Sequence, residues 1–456
     1  MTAKYPPGPR DAVFGLTYIR QFRLSPLAFV TEMAQEYGDF VFARMGWFRV
    51  YFVNRPELVR EILATKVKSF HKLRRQMKAL HNIEGNGLVV SAGAPWRRHR
   101  PMVQPAFHAS HFERYARLIV EHARRRVEHW SPDTTFDMSE EMNQLALEII
   151  ARVVFDVDWS DRAARLRAAV HVFREYMQRE ITSIVRKPDW LPLPGKLRQR
   201  RAVRAMDSLI WELIRERRSS GAAGEDMLAL MLSAARGLDE VAPITDREIR
   251  DEAATLFVAG HDTTSAAMAW FWYALARHPE VARRVREEVD AVLGGRPATY
   301  EDVPRLRYTE MAVKESMRLY PAAAFLFGRQ AVEDVELGGY AIRRNSWVYI
   351  SPYVMHRDPR NFEDPEKFDP GRFAPGRADE IPDYAYVPFG GGPRICIGSV
   401  LATMEVVLVA ATVLQRFQVS LAPDQKEVEP EIEIVLRPKG GLRMRISDRE
   451  PKERSA

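Results

Sequence analysis

The sequence predicts a mainly α-helical protein with a smaller β-rich part. From about 57 to 330, apolar residues recur at three- and four-residue spacing, which is typical of helices that bury one face. Residues 38–54 instead alternate and are rich in Phe, Val and Tyr, which indicates a pair of strands. Short strands are expected again at 335–350 and near the C-terminus.

Proline and glycine divide the helical region and mark its end. The stretch at 188–195 contains three prolines and is expected to separate two long basic helices, and 219–224 is expected to form a loop. A proline-rich coil should run to about 388, with a last helix from about 397. The charged tail at 446–456 is expected to fray.

The longest helix has clear predicted ends. Thr245 and Glu248 have the spacing of a capping box, in which each side chain bonds the backbone N–H of the other residue. His278, followed by proline, predicts the end of the helix at about Arg277. About 32 residues of helix would be roughly 48 Å long, nearly the width of a domain of this size.

The composition is ordinary for a globular protein in water. Of the 456 residues, 46% are apolar and 28% are charged. Length alone suggests about three domains. The first residues contain no apolar run that could act as a signal peptide, and stretches such as 406–414 are well short of the ~20 residues needed to cross a bilayer. We therefore expect a soluble, cytoplasmic protein without a membrane anchor.

The chain is basic, with a formal net charge of +7. Nucleic-acid binding is one explanation of this charge. No zinc-finger, RNA-recognition or basic-zipper pattern supports it, so we expect no nucleic-acid partner. The commoner explanation is a solvated surface with a basic face for an acidic protein. The basic clusters are Arg97, Arg98 and Arg100, then 124–126, then Arg198, Arg200 and Arg201.

Cys396 is the only cysteine of the chain. A single cysteine excludes an internal disulfide and a zinc site made of cysteines. It can be a buried apolar core residue, a nucleophile or a metal ligand. For a cysteine without context, a core residue is the commonest of these.

The context of this cysteine is the segment FGGGPRICIG at 389–398. Three consecutive glycines let the backbone take positive-φ conformations and approach a flat object closely. A helix is predicted directly after Cys396, with Gly398 and Ala402 one turn apart, and its dipole would favour thiolate over thiol. A phosphate-binding loop is the alternative, but the lysine of that motif is missing. A thiolate on haem iron helps to cleave the O–O bond of dioxygen.

On this motif the chain resembles the cytochrome P450 family of haem-thiolate monooxygenases, and the resemblance extends from the proline hinge at Pro6–Pro9 through the cysteine loop. It implies haem b as the cofactor, Cys396 as the axial ligand of its iron, and cofactor contacts from Phe389 and Gly398. It also implies one mainly helical domain with a smaller β-rich lobe over residues 1–456. Residues about 300 positions apart would then serve one iron, which overrides the estimate of three domains.

A second motif is KESMRLYP, in which Glu315 and Arg318 lie three residues apart and can pair on one face of a helix. Alone, such a pair is usually a surface ion pair of little energetic value. The resemblance adds Arg372, in FDPGRF, as a third member. A buried carboxylate held by two guanidinium groups can fix a loop, because breaking it leaves a charge unpaired. The resemblance therefore implies a structural triad behind the cysteine loop, without contact to substrate.

The middle of the longest helix carries a third motif, AGHDTT at 259–264. A glycine inside a helix costs about 1 kcal/mol relative to alanine, so something else should favour Gly260. A gap over the iron is what bound dioxygen and a chain of water molecules would need. Thr263 can donate to the carbonyl of Ala259 and open the helix locally. A polar kink in a buried helix is the alternative. The resemblance implies that Asp262 and Thr263 are the catalytic pair that relays protons to dioxygen, as a general acid does.

Basic groups for the haem carboxylates would come from several segments. Planar guanidinium groups suit carboxylate recognition. Each of these residues alone is more often a surface charge or a satisfied polar group. By position, the resemblance assigns the propionate contacts to Trp96, Arg100, Arg329, His356 and Arg394.

The substrate pocket is expected to be apolar. The resemblance assigns its walls to the loop before WRRHR, the central helix and the segment after KESMR, which here supply Val89, Ala259, Ala323 and Phe325. These residues are small or apolar, although they could equally belong to ordinary core. We therefore expect a small apolar substrate such as a fatty acid, terpenoid or steroid.

The source of electrons is expected to be a separate protein. No flavin or nicotinamide fingerprint precedes the haem motifs, and the chain ends about 60 residues after Cys396. The expected donor is an acidic ferredoxin or flavodoxin with its reductase. Arg97 and Arg98, on the cysteine side of the haem, would steer such a partner.

Together these features predict a monooxygenase that inserts one atom of dioxygen into a C–H bond while the other leaves as water. One alternative is a peroxide-driven or isomerising haem-thiolate enzyme, which typically lacks the acid–alcohol pair. Another is a non-catalytic haem protein, such as a gas sensor or an electron carrier. A sensor would normally carry an output domain.

Overall fold

Helices make up most of the described chain. The computed structural model describes residues 5–10, 14–157, 172, 194–220, 224–237 and 243–449. Its α-helices in this part are α1 (Leu16–Leu24), α2 (Pro26–Tyr37), α3 (Pro56–Arg60), α4 (Arg74–Glu84), α5 (Gly93–Val103), α6 (Phe112–Glu128), α7 (Met138–Phe155), α8 (Pro194–Ser220), α9 (Met227–Gly237), α10 (Asp246–Arg277), α11 (Pro279–Leu293), α12 (Arg307–Leu319), α13 (Pro352–Met355) and α14 (Ser399–Leu414). A π-helical turn, Glu61–Thr65, continues α3.

The strands are short and form small sheets. They are β1 (Phe40–Met45), β2 (Phe48–Val53), β3 (Phe70–Lys72), β4 (Thr135–Asp137), β5 (Arg329–Ala331), β6 (Val335–Leu337), β7 (Tyr340–Ile342), β8 (Trp347–Tyr349), β9 (Phe417–Leu421), β10 (Pro430–Ile432), β11 (Leu436–Pro438) and β12 (Arg443–Asp448). The largest sheet has the order β1-β2-β8-β5-β3, and the others are β4-β12-β9, β6-β7 and β10-β11. β1 and β2 form an antiparallel hairpin, and β2 pairs in parallel with β8, so the two predicted strand regions meet in one sheet.

The longest helix, α10, lies at the centre of the helical part. It packs most extensively against α7 and also contacts α4, α8, α12 and α14. It is buried on nearly all sides between Ile249 and Leu275, which is typical of a helix in the core of a large domain. Among the described helices, none has both the length and the apolar composition needed to span a bilayer.

Both predicted ends of α10 are confirmed. The Thr245 hydroxyl accepts from the N–H of Glu248 at 3.3 Å, and the Glu248 carboxylate accepts from the N–H of Thr245 at 2.8 Å. The last helical residue is Arg277, directly before His278. The cap and the proline stop are local features, and local sequence was enough to predict them.

Several other boundaries differ from expectation. The strands β3 and β4 interrupt a region that was predicted to be mostly helical, and the last helix begins at Ser399. Ile446 was assigned to a fraying tail, but it is buried in β12 and pairs with Val419 of β9. The expected breaks at 188–195 and 219–224 fall mainly outside the described residues, as does the chain beyond 449.

Candidate active site

The cysteine loop has a shape that depends on glycine. Gly390 and Gly392 have φ angles of 72° and 66°, in the left-handed region. A Cβ on Gly392 would lie 2.1 Å from the carbonyl oxygen of Leu63, in the π-helical turn after α3. The N–H of Cys396 donates to the carbonyl of Phe389 at 3.0 Å and closes the loop. The glycines therefore let this loop pack directly against another stretch of backbone.

The thiol of Cys396 faces an internal space. It is accessible to solvent, yet burial by the surrounding protein raises its pKa. The N–H of Gly398 and the charge of Arg100 lower the pKa in part. The helix N-terminus was expected to stabilise the thiolate form of Cys396. The N–H of Gly398 does lower the pKa of the thiol, but burial raises this pKa by more. Because a metal deprotonates a coordinating thiol, we expect the thiolate to form on metal binding.

Two residues in the middle of α10 are exposed although the helix is central. Ala259 and Thr263 are exposed and Gly260 is half-buried, whereas Phe257 and Thr264 are buried. Four-residue spacing puts Ala259 and Thr263 on the same face of the helix. Exposure inside a protein indicates a cavity, and this face of α10 lines it.

Thr263 and Gly260 have different local roles. The hydroxyl of Thr263 donates to the carbonyl of Ala259 at 2.8 Å, which confirms the predicted bond. A Cβ on Gly260 would lie 2.5 Å from Cδ1 of Ile150 in α7. The missing side chain of Gly260 therefore also accommodates the close approach of α7.

Asp262 is buried and ion-paired, unlike its neighbour Thr263. Arg437 of β11 donates to the Asp262 carboxylate at 2.9 Å. Nδ1 of His261 lies 3.3 Å from the same carboxylate, and Arg437 also lies 3.8 Å from Glu433. The two members of the predicted catalytic pair thus have different surroundings. Thr263 faces the cavity, whereas Asp262 contacts the β10–β11 hairpin.

Four basic side chains form a cation cluster near the cysteine loop, namely Lys72, Arg100, Arg329 and Arg394. Burial, and then the charge of a neighbouring arginine, lowers the pKa of Arg329 and of Arg394 to about 10. Burial, and then Arg329 and Arg394, lowers the pKa of Lys72 to about 7. In the part of the chain that the structure describes, none of the four lies within ion-pair distance of an Asp or Glu side chain.

The contacts of the cation cluster are with backbone carbonyls and aromatic rings. Arg394 donates to the carbonyl of Ser91 at 2.9 Å, and its guanidinium lies 4.0 Å from the ring centroid of Trp96. Lys72 donates to the carbonyl of Val89 at 2.5 Å. Clustered cations that lose hydration without a carboxylate in ion-pair contact are costly, so the cluster suits a ligand with carboxylates of its own.

Of the predicted propionate residues, Trp96, Arg100, Arg329 and Arg394 are brought together in this way. Lys72 was not predicted, because no motif marks it and its position depends on the pairing of β3 with β5, where Lys72 lies opposite Arg329. A lysine beside apolar residues in a short strand gives no distinct sequence signal.

His356 does not fit the predicted propionate contact. Its Nδ1 bonds the carbonyl of Arg318 at 3.1 Å, and its Nε2 accepts from the N–H of Val387 at 2.9 Å. Burial lowers the pKa of this imidazole to about 3, so it stays neutral. Both ring nitrogens are used by the backbone, and the side chain instead links the end of α12 to the segment before the cysteine loop.

The Glu315–Arg318–Arg372 contacts are present as predicted. Arg318 donates to the Glu315 carboxylate at 2.7 and 2.9 Å, and Arg372 donates to it at 3.3 Å. Glu315 and Arg318 are fully buried. The pKa of Glu315 is raised by burial, which the two arginines only partly offset.

Arg318 also organises the coil before the cysteine loop. Its guanidinium donates to the carbonyls of His356 and Pro365, both at 2.6 Å, and of Lys367 at 3.0 Å. The N–H of Asp369 donates to Glu315 at 2.8 Å. One buried ion pair therefore fixes four backbone groups of a segment that has almost no regular structure.

The four predicted pocket residues have unequal surroundings. Ala259 is exposed on the cavity face of α10, and Val89 and Ala323 are half-buried. Phe325 packs against Phe22 at a centroid distance of 5.9 Å. Phe325 thus has a packing contact, in agreement with the core alternative considered for these residues.

The two arginines predicted to steer a redox partner, Arg97 and Arg98, have different surroundings. Arg98 donates to the carbonyl of Pro243 at 2.7 Å and lies 3.3 Å from the carboxylate of Glu248. Its charge therefore pairs with the capping residue of α10. Steering of a redox partner by Arg97 and Arg98 stays a prediction. Arg97 is exposed.

These residues fit a haem. Within the described residues, no group of three His, Cys, Asp or Glu side chains could hold a metal ion. Cys396 would be a single protein ligand, which suits a metal whose remaining ligands come from a porphyrin. The cation cluster suits the propionates, and the open face of α10 provides space. Fold and site together define a haem-thiolate protein.

Comparisons with known proteins agree with this. Residues 6–444 match the family model described as Cytochrome P450. The cyclooctat-9-en-7-ol 5-monooxygenase of Streptomyces melanosporofaciens is 34% identical, with 87% of this chain and 86% of that protein covered. The cyclooctatin synthase of the same organism is 36% identical, with 88% and 87% covered. The pentalenene oxygenase of Streptomyces avermitilis is 30% identical, with 94% and 95% covered.

The chain therefore belongs to the cytochrome P450 family. The predicted family, fold class and enzyme class are confirmed: the protein is an oxidoreductase of the cytochrome P450 monooxygenase type. Membership implies a haem whose iron is bound by a thiolate.

Proposed function

We propose that this protein inserts one atom of dioxygen into a terpenoid-like apolar substrate. The observation that supports this most is a single thiol, Cys396, near the cation cluster, together with Thr263 on the open face of α10. In the overall reaction, a substrate C–H bond and dioxygen combine with two electrons and two protons to give an alcohol and water.

The haem would be held by the thiolate of Cys396 and by the cation cluster, which would pair with its propionates. When bound, it supplies the activation of dioxygen, with the thiolate donating electron density. Trp96 would position Arg394 by cation–π contact. Phe389 and Gly398 would shape the loop around the thiolate through their backbone groups.

Thr263 and Asp262 would deliver the protons. Since the Thr263 hydroxyl donates to Ala259, its oxygen is left to accept a hydrogen bond on the cavity face, for example from a water molecule through which the proton would pass. Asp262 would pick up a proton from outside when its ion pair with Arg437 opens. General acid catalysis of this kind is worth about 10²- to 10⁴-fold in rate.

A terpenoid substrate is supported by the wall residues and the relatives. Val89, Ala259 and Ala323 present no charge, so they favour an apolar molecule. Relatives of this chain are named for oxygenation of cyclooctat-9-en-7-ol and pentalenene, and they are bacterial terpenoid monooxygenases.

Electrons would come from a separate acidic ferredoxin or flavodoxin with its reductase. The net charge of +7 is complementary to such a donor. Turnover with the acidic donor should slow as salt rises, because salt screens the attraction. Turnover that is insensitive to salt would contradict electrostatic steering.

The proton-delivery role is tested by Thr263→Ala. We expect product formation to fall by roughly 10-fold or more while electron consumption continues and hydrogen peroxide accumulates. Thr264→Ala, at the buried neighbouring residue, is the control and should stay coupled. A gas sensor or electron carrier would show neither product nor any effect of the substitution. Unchanged coupling in Thr263→Ala would favour the peroxide-driven alternative.

The haem ligand is tested by spectroscopy. The reduced carbon-monoxide complex of the wild-type protein should have the absorbance typical of a thiolate ligand, and Cys396→Ser should lose it. A spectrum typical of histidine ligation in the wild type would overturn the assignment of Cys396.

The substrate class is tested by titrating cyclic terpenoids and fatty acids while the spin state of the haem is recorded. We expect terpenoids to shift the spin state at lower concentration than fatty acids. Ala323→Phe should then change the ratio of products, and an unchanged ratio would remove Ala323 from the pocket.

A further inference from the structure

The segment that joins α4 to α5, residues 85–92, lies directly against the central helix α10. A Cβ on Gly85 would lie 2.2 Å from a carboxylate oxygen of Asp251, and a Cβ on Gly87 would lie 2.1 Å from the hydroxyl oxygen of Thr255. Gly85 also has a φ angle of 67°, which favours glycine. The two glycines therefore let the backbone of this α4–α5 segment approach α10 closely.

Two carboxylates of α10 accept hydrogen bonds from the backbone of the α4–α5 segment. Asp251 accepts from the N–H of Asn86 at 2.8 Å, and Glu252 accepts from the N–H of Leu88 at 3.0 Å. Hydrogen bonds from backbone N–H groups to a carboxylate are stronger than neutral ones. Since Leu88 directly precedes Val89, the bond to Glu252 holds the backbone next to a proposed wall residue of the substrate pocket.

The carbonyl groups of the same segment are held by two members of the cation cluster. Lys72 donates to the carbonyl of Val89, and Arg394 donates to the carbonyl of Ser91. The backbone around Val89 is thus bonded to α10 just before this residue and to the cation cluster at and after it. Its distance from α10 then depends on the length of the Glu252 side chain.

The carboxylate of Glu252 is itself fixed from the other side. Its side chain is fully buried, and Nδ1 of His99 in α5 lies 2.7 Å from Oε1, whereas Leu88 donates to Oε2. One carboxylate therefore connects α10, α5 and the α4–α5 segment. A buried acid held at both oxygens keeps its neighbours in one geometry, because losing either contact leaves a buried polar group without compensation.

We propose that Glu252 is a positioning residue for substrate oxidation. Through the N–H of Leu88 it sets the place of Val89 in the pocket wall, and so it determines which C–H bond of the substrate is oxidised. This role rests on the proposed function, since it requires Val89 to contact the substrate. Glu252 is fully buried and Val89 is half-buried, so the effect of Glu252 passes through the backbone.

Two conservative variants separate the reach of this side chain from its charge. Glu252→Asp keeps the charge but shortens the side chain by one carbon–carbon bond, roughly 1.5 Å, so Leu88 loses its acceptor. Glu252→Gln keeps the length, and its amide can accept from Leu88 and donate to a neutral His99. Positioning predicts that only the Asp variant differs from the wild type. A role of the charge alone predicts the reverse.

The hydrogen bond is tested by hydrogen exchange of the haem-loaded protein without substrate. Peptides that cover residues 85–92 are followed by mass spectrometry. In Glu252→Asp these N–H groups should exchange roughly tenfold faster than in the wild type, and in Glu252→Gln at the wild-type rate. Equal exchange in wild type and Glu252→Asp would overturn the proposal. Glu252→Ser, which has neither the charge nor the reach, replaces Glu252→Asp if that variant does not bind haem.

The effect on selectivity is measured with the cyclic terpenoid that shifts the spin state at the lowest concentration. Glu252→Asp should change the product ratio by roughly twofold or more, since small displacements alter the reactive geometry, and Glu252→Gln should keep the ratio. Val89→Ala should also change the ratio, and adding Glu252→Asp to it should have little further effect. An unchanged ratio in Val89→Ala, or additive effects in the double variant, would show that Glu252 does not act through Val89.

Glu288→Asp is the matched control. Glu288 of α11 accepts from the N–H groups of Tyr308 and Thr309 at 2.7 and 2.8 Å, so the same shortening breaks the same kind of bond elsewhere. This variant should melt at a lower temperature and keep the wild-type product ratio. A change of ratio as large as in Glu252→Asp would reduce the effect to general destabilisation.

Failure of the positioning role differs from failure of the proposed function. If the wild type forms products and Glu252→Asp keeps their ratio, the proposed function stands and the positioning role is wrong. If the wild type oxidises neither terpenoids nor fatty acids, the proposed function is wrong and the positioning role falls with it, whatever the exchange of the α4–α5 segment.

Discussion

The imidazole of His99 lies 2.7 Å from the carboxylate of Glu252, and both side chains are buried. This contact joins α5, which carries Trp96 and Arg100, to the central helix α10. Glu248, one turn earlier on α10, lies 3.2 Å from the other ring nitrogen. Burial alone would lower the pKa of His99, but Glu252 and then Glu248 outweigh it and raise the pKa above its usual value.

The first prediction is that the stability contributed by His99 falls as pH rises. Because the pKa of His99 is higher in the folded state than in the unfolded state, the folded state binds the proton more tightly. The stability that His99 contributes is therefore complete below its unfolded-state pKa near 6.5 and is lost as the pH rises through its folded-state pKa. The difference in free energy of unfolding between wild type and His99→Gln should therefore shrink with rising pH. Urea denaturation over a pH series measures it.

The control for this prediction is His129→Gln, at the exposed end of α6. This variant should keep the pH dependence of the wild type. A difference between wild type and His99→Gln that stays constant over the whole pH series would mean that His99 contributes packing and no charge.

The second prediction concerns the buried ion pair of Arg318. Arg318→Ala leaves the Glu315 carboxylate without its main partner and releases three backbone carbonyls, so it should cost about 3–5 kcal/mol or abolish folding. Arg283→Ala breaks an exposed pair with Glu287 and should cost about 1 kcal/mol or less. Thermal and urea denaturation compare the two. Equal costs would show that the Arg318 network is no more than a local ion pair.

The third prediction separates two glycines of the cysteine loop. Both need a positive φ, and alanine there costs about 1–2 kcal/mol. At Gly392 a Cβ also collides with the backbone at Leu63, whereas at Gly390 no atom lies within 4 Å. Gly392→Ala should therefore lose haem, and Gly390→Ala should retain it with a modest fall in melting temperature. Haem content per protein is the measurement, and equal retention would contradict the collision.

The fourth prediction concerns the contact between α7 and α10. Gly260→Ala gains about 1 kcal/mol of helix propensity but overpacks Ile150, which costs about 1–3 kcal/mol. Ile150→Val removes the colliding methyl and alone costs about 0.5–1.5 kcal/mol. The double variant should be more stable than Gly260→Ala, although it carries a second destabilising change. Additive effects in a double-mutant cycle would mean that the two residues do not collide.

Local chemistry explains what the sequence predicted well. The capping box of Thr245 and Glu248 and the pair Glu315–Arg318 each involve residues three positions apart, so helix geometry alone brings them together. The bond from Thr263 to Ala259 is of the same kind. The cysteine loop could be recognised because its glycines and its thiol are contiguous in the chain.

Long-range packing explains what the sequence did not predict. His356 looked like a propionate ligand, but its two partners belong to residues 318 and 387, and only the folded chain brings these backbone groups to one ring. Lys72 joins the cation cluster through strand pairing, and Arg437 reaches Asp262 from the C-terminal hairpin. No spacing rule in the sequence connects such positions.

The open positions on α10 have a consequence for how this protein can change. Most residues of the helix are held by neighbours, so substitutions there disturb the core. Ala259 is exposed to the cavity and supports no packing of this kind. If Ala259 lines the substrate pocket as proposed, substitutions there change which molecule is oxidised at little cost in stability, and the most central helix of the protein contains one of its most adaptable positions.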